Sequence, residues 1–281
     1  MMPSEDAPMI VDAWMQHPTG AFARDPMFAT LLRWIGQDAL PDTFPVELSQ
    51  LAMQAAGVDI ALVSAWCGPR GFLLSNEHVA EVVDSAPSMF RGVASVDLRD
   101  PMGAVRQLRH LVTDRGFVAV RQLPWLWELP PDDRRYYPIY AACIDLGVPF
   151  CTQIGHAGPL MPSEPGRPIP YLDRVLCDFP ELVVVGGHVG YPWTEEAIAL
   201  ASKYPNFFID TSAWKLSRLP PALVTYMMGR GRSKVLFGSN FPMITPLDCL
   251  AGLPGLGLDD EARALFLGGN ARRVFRLEAA A

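Results

Sequence analysis

The chain is short of the features that mark most function classes. Its five cysteines, Cys67, Cys143, Cys151, Cys177 and Cys249, are odd in number and include no CxxC pair. Neither a disulfide framework nor a cysteine-rich zinc site follows from them, and a reducing compartment suits them best. No stretch approaches the roughly 18 consecutive apolar residues of a membrane span. Residues 1–8 are polar and acidic, without the apolar segment of a secretory signal. The expectation is a cytoplasmic protein with no membrane partner. Positive charge is scarce too: 23 Lys and Arg face 30 Asp and Glu, for a formal net charge of −7. That balance argues against a nucleic-acid partner. No GxGxxG loop or P-loop occurs anywhere, which removes the usual dinucleotide and nucleotide folds.

What the chain does have is apolar runs at regular intervals. Half of its 281 residues are hydrophobic, enough to bury one large core. Runs at 9–14, 59–66, 90–97, 117–121, 148–153, 182–185, 207–212 and 234–240 read as buried strands, being β-branched and apolar on both faces. Helical patterns separate them, at 45–56, 76–83 with Asn76 as N-cap, 102–115, Asp132 or Asp133 to 146, 171–178, 194–203 and 221–228. An amphipathic tail, 259–275, follows. Eight strand–helix alternations imply a single α/β domain over 1–281, a (β/α)8 TIM barrel closed by a C-terminal helix. Residues 19–45 form a long insertion after the first strand. There Met27, Phe28, Leu31, Leu32, Trp34 and Ile35 fall at helical spacing, and the segment is expected to cap the mouth.

A barrel gathers its strand C-termini at one mouth, where its chemistry resides. The residues there are Asp12, Trp14, Gln16 and His17; Trp66; Asp97; Arg121 and Gln122; Gln153 and His156; His188; Asp210; and Asn240 with Phe241. Polar groups at buried strand ends cost free energy unless paired, so their convergence marks a site, although Asp97 and Asp210 also suit a polar plug finishing a barrel layer. Ser239 is not in a GxSxG elbow and Cys151 lies inside a strand, so neither reads as a nucleophile.

These residues sit in recognisable company. Gly187-His188-Val189-Gly190-Tyr191-Pro192-Trp193, Asn206-Phe207-Phe208-Ile209-Asp210, Val235-Leu236-Phe237-Gly238-Ser239-Asn240-Phe241-Pro242 and Gly269-Asn270-Ala271-Arg272-Arg273-Val274-Phe275 resemble the amidohydrolase-related family over essentially the whole chain. This is the decarboxylase and hydrolase branch of the amidohydrolase superfamily. The resemblance implies a metal-centred barrel, and a homodimer is among the partners it implies. The departures are specific. The family's first strand ends Asp-x-His-x-His, where this chain has Trp14 and Gln16; its fifth-strand histidine is Gln153, and its eighth-strand aspartate is Asn240. Of the metal-associated positions only His188 survives, and indole and amide are poor zinc ligands. His17 and His156 lie beside lost ligands and, with His188, offer one route to a rebuilt metal site. The expectation is no metal and no other cofactor.

Without metal, His188 is the first candidate to activate water as general base, with Asp210 or Asp12 to orient it. Gln153, Asn240 and Gln16 could supply amide donors to an oxyanion, and Arg121 could bind a carboxylate or enolate, or instead pair with Asp97. Trp14, Trp66, Trp125, Trp127, Tyr191, Trp193 and Trp214 imply an aromatic or polyketide-like ligand, with His17 and His156 beside it. Arg134, Arg135, Arg167 and Arg218 either meet a phosphorylated carrier or are ordinary surface charge. The segments Asp12–Pro18 (Asp-x-Trp-x-Gln-His-Pro), Arg121–Trp125 (Arg-Gln-Leu-Pro-Trp) and Cys151–His156 (Cys-Thr-Gln-x-Gly-His) resemble the 4-hydroxyphenyl-β-ketoacyl-CoA hydrolase-like subfamily. Three readings follow. The first is a metal-independent hydrolase of an aryl or polyketide-like β-ketoacyl thioester. The second is a non-oxidative decarboxylase or cyclase, and the third a catalytically silent binding barrel.

Overall fold

Eight of the apolar runs become the parallel strands of one sheet: β1 Val11–Met15, β2 Ile60–Ser64, β3 Phe90–Ala94, β4 Ala119–Gln122, β5 Phe150–Gln153, β6 Val184–Gly187, β7 Phe207–Asp210 and β8 Val235–Leu236. They pair in chain order. The computed structural model describes residues 8–34, 36 and 43–277. Ile35 and the acidic residues 1–7, on which part of the sequence reading rests, fall outside the described residues. Between β8 and β1 the circle is closed by backbone bonds: Ala13 N–H to Phe237 O at 3.0 Å, Asn240 N–H to Trp14 O at 2.7 Å and Gln16 N–H to Phe241 O at 3.0 Å. Asp12 reinforces this seam. Its carboxylate accepts from the Ser239 N–H at 2.9 Å and the Ser239 hydroxyl at 2.5 Å. No described helix is long and apolar enough to cross a membrane.

Side chains alternate across the barrel wall, as the two-residue period of a strand requires. Ile60, Leu62, Val93, Ala119, Cys151, Val185, Phe208 and Leu236 form one buried cluster, and Ala61, Val63, Phe90, Ala94, Val120, Phe150, Val184, Ile209 and Val235 form another with the helices. β1 breaks the alternation. A register irregularity between Asp12 and Met15 lets Trp14 join the cluster of Val11 and Ala13.

The helices at Tyr171–Asp178, Thr194–Lys203 and Pro221–Met228 start and stop where the sequence places them. Two expected starts do not hold. Ser75, not Asn76, caps the helix Asn76–Ser85, its hydroxyl accepting from His78 N–H; the Asn76 amide instead clamps the Ser95 backbone at 2.8 and 3.0 Å. Asp133 holds a turn through Arg135, and the helix begins later, at Tyr137–Leu146. The apolar run ending at Trp66 divides, because Trp66–Gly68 leaves the barrel to pair with Gly71–Leu74 as a hairpin. The insertion winds through Gly20–Ala23, a 3₁₀ turn at Pro26–Phe28 and the helix Ala29–Trp34, over the mouth. The tail is helical across Asp260–Ala264, a π turn at Leu265–Gly269 and Asn270–Phe275.

Candidate active site

A cavity of about 810 Å³ opens at the C-terminal ends of the strands. Its upper wall comes from the insertion, through Phe22, Phe28, Leu31, Leu32, Trp34 and Phe44, and from Leu48 of the helix Val46–Ala55, and its floor from the strand ends. Of the residues expected at the site, Gln16, His17, Trp66, Trp125, Gln153, His156, His188, Tyr191, Trp214, Asn240 and Phe241 line it. Others do not. Trp14, Arg121 and Asp210 are buried beneath the floor, each at most 1% exposed, and Trp193 packs outside it, 5.8 Å from the Arg167 guanidinium. Trp127 is likewise absent from the lining and donates its indole N–H to Gln122 Oε1 at 3.2 Å. Asp97 is claimed by Arg99 at 2.6 Å, not by Arg121.

Beneath the floor the Trp14 indole is packed between neighbours. The Arg121 guanidinium carbon lies 3.6 Å from its ring centroid, a cation–π contact, and the His188 ring lies 5.2 Å away, tilted by 60°. Arg121 otherwise makes only long bonds, to Met15 O and Ala13 O at 3.4 Å each. Burial lowers its pKa to about 10. Burial also raises the carboxyls below the floor, Asp210 to about 7 and Asp12 to about 6, against hydrogen bonds that pull both down. A lone guanidinium and two half-reluctant carboxylates thus share one dry layer.

His188 follows β6 directly with φ of +70°, and Val189 comes next at +54°. A β-branched residue in that region is strained by roughly 1–3 kcal/mol, and such strain gathers at sites the surroundings over-determine. The turn directs His188 to the cavity. Its Nδ1 lies 2.7 Å from Ser212 Oγ. The Ser212 N–H donates to Asp210 Oδ1 at 2.8 Å, so Asp210 reaches the histidine only through Ser212. Burial, then the Arg121 charge and His156, push the His188 pKa down to about 3, so the ring is neutral at physiological pH. Ser212 was not foreseen as a site residue; a serine two positions past a strand aspartate carries no signal of its own.

The three amides prove unequal. Gln16 Nε2 is engaged by Phe241 O at 2.7 Å and Asn240 Oδ1 at 3.2 Å. Gln153 accepts from the Trp125 indole at 2.7 Å and donates to His156 O at 2.9 Å. Asn240, half-buried and also in the left-handed region with φ of +66°, donates neither side-chain N–H to a protein partner among the described residues, whereas Gln153 keeps one N–H unengaged. His17 has both ring nitrogens engaged, by Ser49 Oγ at 2.7 Å and Phe44 O at 2.9 Å, and His156 is exposed at the rim beside Trp34. The floor therefore offers a ligand chiefly the His188 ring and the Asn240 amide, with the second Gln153 N–H beside them.

This donor set does not fit a divalent metal. Among the described residues no three His, Cys, Asp or Glu side chains converge. The orphaned acceptors here are the neutral Gln16 Oε1 and, buried beneath the floor, one Asp210 oxygen, and the Trp14 ring stands against His188. With His17 engaged on both nitrogens, the three histidines do not rebuild a site.

Comparison with known proteins supports this barrel's kinship. The family model described as amidohydrolase matches residues 37–277. The chain is 34% identical over 256 residues to a gamma-resorcylate decarboxylase of Rhodococcus jostii, covering 73% of this chain and 76% of that protein. It is 26% identical over 246 residues to a 2-keto-4-carboxy-3-hexenedioate hydratase of a Sphingobium species, covering 73% and 71%. Among solved structures, an uncharacterised TIM-barrel protein of Bordetella bronchiseptica superposes with a TM-score of 0.82 at 27% identity, over 95% of this chain and 98% of the other.

Proposed function

Because the chain belongs to the amidohydrolase family, we propose that it is a metal-independent lyase, decarboxylating an aryl or polyketide-like β-keto acid. One observation carries this reading: the cavity floor presents neutral hydrogen-bonding groups, chiefly His188 and Asn240, and no group suited to pulling a proton from water. A base works best with a pKa near the operating pH, and His188 is pushed down to about 3. The preference given above to hydrolysis therefore yields to the lyase reading. The relatives named as a decarboxylase and a hydratase lean the same way.

In this reading the Ser212 hydroxyl donates to Nδ1, which leaves the His188 proton on Nε2, facing the ligand. The Nε2–H and the Asn240 Nδ2–H hold the keto oxygen. As the C–C bond to the carboxylate breaks, its electron pair passes into an enolate whose oxygen those donors stabilise, worth about 3 kcal/mol for a well-placed donor. CO2 leaves, and the enolate carbon then takes a proton from water. The aromatic walls strip water from the ionised carboxylate, which favours loss of neutral CO2.

Hydrolysis of a β-ketoacyl thioester remains the second reading, since the same two donors would serve an acyl oxyanion. Incubation with benzoylacetate and with its thioester separates the two. The lyase reading expects CO2 and acetophenone from the acid above the uncatalysed rate. Free thiol from the thioester without CO2 from the acid would replace it with the hydrolase reading, and turnover of neither would reject both.

A further inference from the structure

Arg218 is unlike everything else around the cavity. Among the described lining residues it alone carries a permanent charge, and none of them is a carboxylate. It is exposed, closes the 3₁₀ turn Leu216–Arg218 and shares the cavity lining with Trp214 and Tyr191, whose rings lie 5.4 Å apart. No hydrogen bond or ion pair to another described residue engages its guanidinium. Asp248, on the facing helix Pro246–Leu250, is instead beside Lys215 at 3.9 Å. On a chain of net charge −7 this leaves one isolated positive point at the mouth of an apolar cavity. Such a point draws in anions and fixes their orientation.

The volume agrees with a long ligand. At about 810 Å³ the cavity is near the top of the roughly 300–1,000 Å³ range of small-molecule sites, more than a single-ring keto acid fills. We infer that Arg218 anchors a second anionic group, a carboxylate or a phosphate, at the far end of the substrate. The substrate class is then a two-ended molecule, its reacting keto acid at His188 and Asn240, an aromatic body between the tryptophans, and an anion at the rim. This inference rests on the proposed organic-acid chemistry but is tested by binding alone.

Quenching of intrinsic tryptophan fluorescence by 2-naphthol, 2-naphthoate and 2-naphthyl phosphate gives the test. The wild-type protein is expected to bind at least one of the anions about tenfold more tightly than the neutral naphthol, the scale of one charge-assisted hydrogen bond. Arg218→Ala should bring that anion to the level of naphthol, Arg218→Lys should keep part of the preference, and naphthol itself should bind all three proteins alike. The anion preferred identifies the carboxylate or the phosphate. Equal binding of naphthol and both anions, or a preference that survives Arg218→Ala, would overturn the anchor while leaving the aromatic cavity intact. Failure of all three probes to bind would overturn both.

Discussion

Gly187→Ala tests the claim that an indole fills the layer beneath the site. Gly187 has φ of −82° and ψ of 160°, an extended conformation open to any residue, so the backbone raises no objection. The objection is steric. A Cβ there would stand 2.5 Å from Trp14 Cζ3, 2.7 Å from Cη2 and 2.8 Å from Cε3, against a comfortable carbon contact of about 3.5–4.0 Å. Trp14 has little room to retreat, being 1% exposed with Arg121 3.6 Å from its ring centroid. Overpacking of this kind costs about 1–3 kcal/mol, and the rigid neighbour puts this case at the upper end. Thermal unfolding should show a melting temperature lowered by roughly 3–5 °C. Phe lacks the fused ring, so Trp14→Phe in the Gly187→Ala background should recover at least about 1 kcal/mol beyond additivity. Gly255→Ala, where nothing stands within 4 Å, serves as control. A Gly187→Ala protein within about 0.5 kcal/mol of wild type, or no recovery with Trp14→Phe, would refute the packing argument.

Three further outcomes are expected. Ser212→Ala removes the 2.7 Å partner of His188 Nδ1 and should lower kcat about tenfold with KM nearly unchanged, Ser212→Thr retaining most activity; equal kinetics in all three proteins would dismiss Ser212 as a positioning residue. Asp210 is raised from 3.8 to about 7, so its folded state holds a proton that the unfolded chain gives up. The stability this contributes is present at low pH and lost as pH rises from about 4 through 7, so wild type should lose several kcal/mol relative to Asp210→Asn between pH 4 and 8. Parallel urea-unfolding profiles would contradict the raised carboxyl. Dialysis against EDTA should leave CO2 release unchanged, whereas loss of activity restored by manganese or zinc would defeat the metal-independent reading.

The barrel was legible because its strands are apolar on both faces and its helices on one, so two periods alternate along the chain. Boundaries blurred where adjacent residues compete for one role. Ser75 and Asn76 are both good caps, and only the position of Ser95 decides that Asn76 serves elsewhere. The site was legible as a set of strand ends but not as a set of directions. Trp14 and Trp193 read alike, yet a register irregularity turns one into the barrel interior while the other packs by Arg167. Gln16, Gln153 and Asn240 also read alike as amide donors. Their difference lies in long-range partners, Phe241 O and the Trp125 indole, separated from them by 225 and 28 residues.

The layer below the floor explains why the retained histidine need not keep an inherited role. A buried guanidinium without a close carboxylate costs several kcal/mol, and it persists here between the Trp14 ring and two backbone carbonyls. Its charge cannot be titrated away under physiological conditions, even with its pKa lowered to about 10. That fixed positive charge repels a second proton on His188, adding to the effect of burial. Asp12 and Asp210 cannot offset it at the ring: Asp12 is spent on Ser239, and Asp210 contacts His188 only by way of Ser212. The physical consequence is a neutral imidazole across the whole range in which a cell operates. Such a ring donates a hydrogen bond well and removes a proton from water badly, which favours chemistry that needs a stabilised enolate over chemistry that needs a hydroxide.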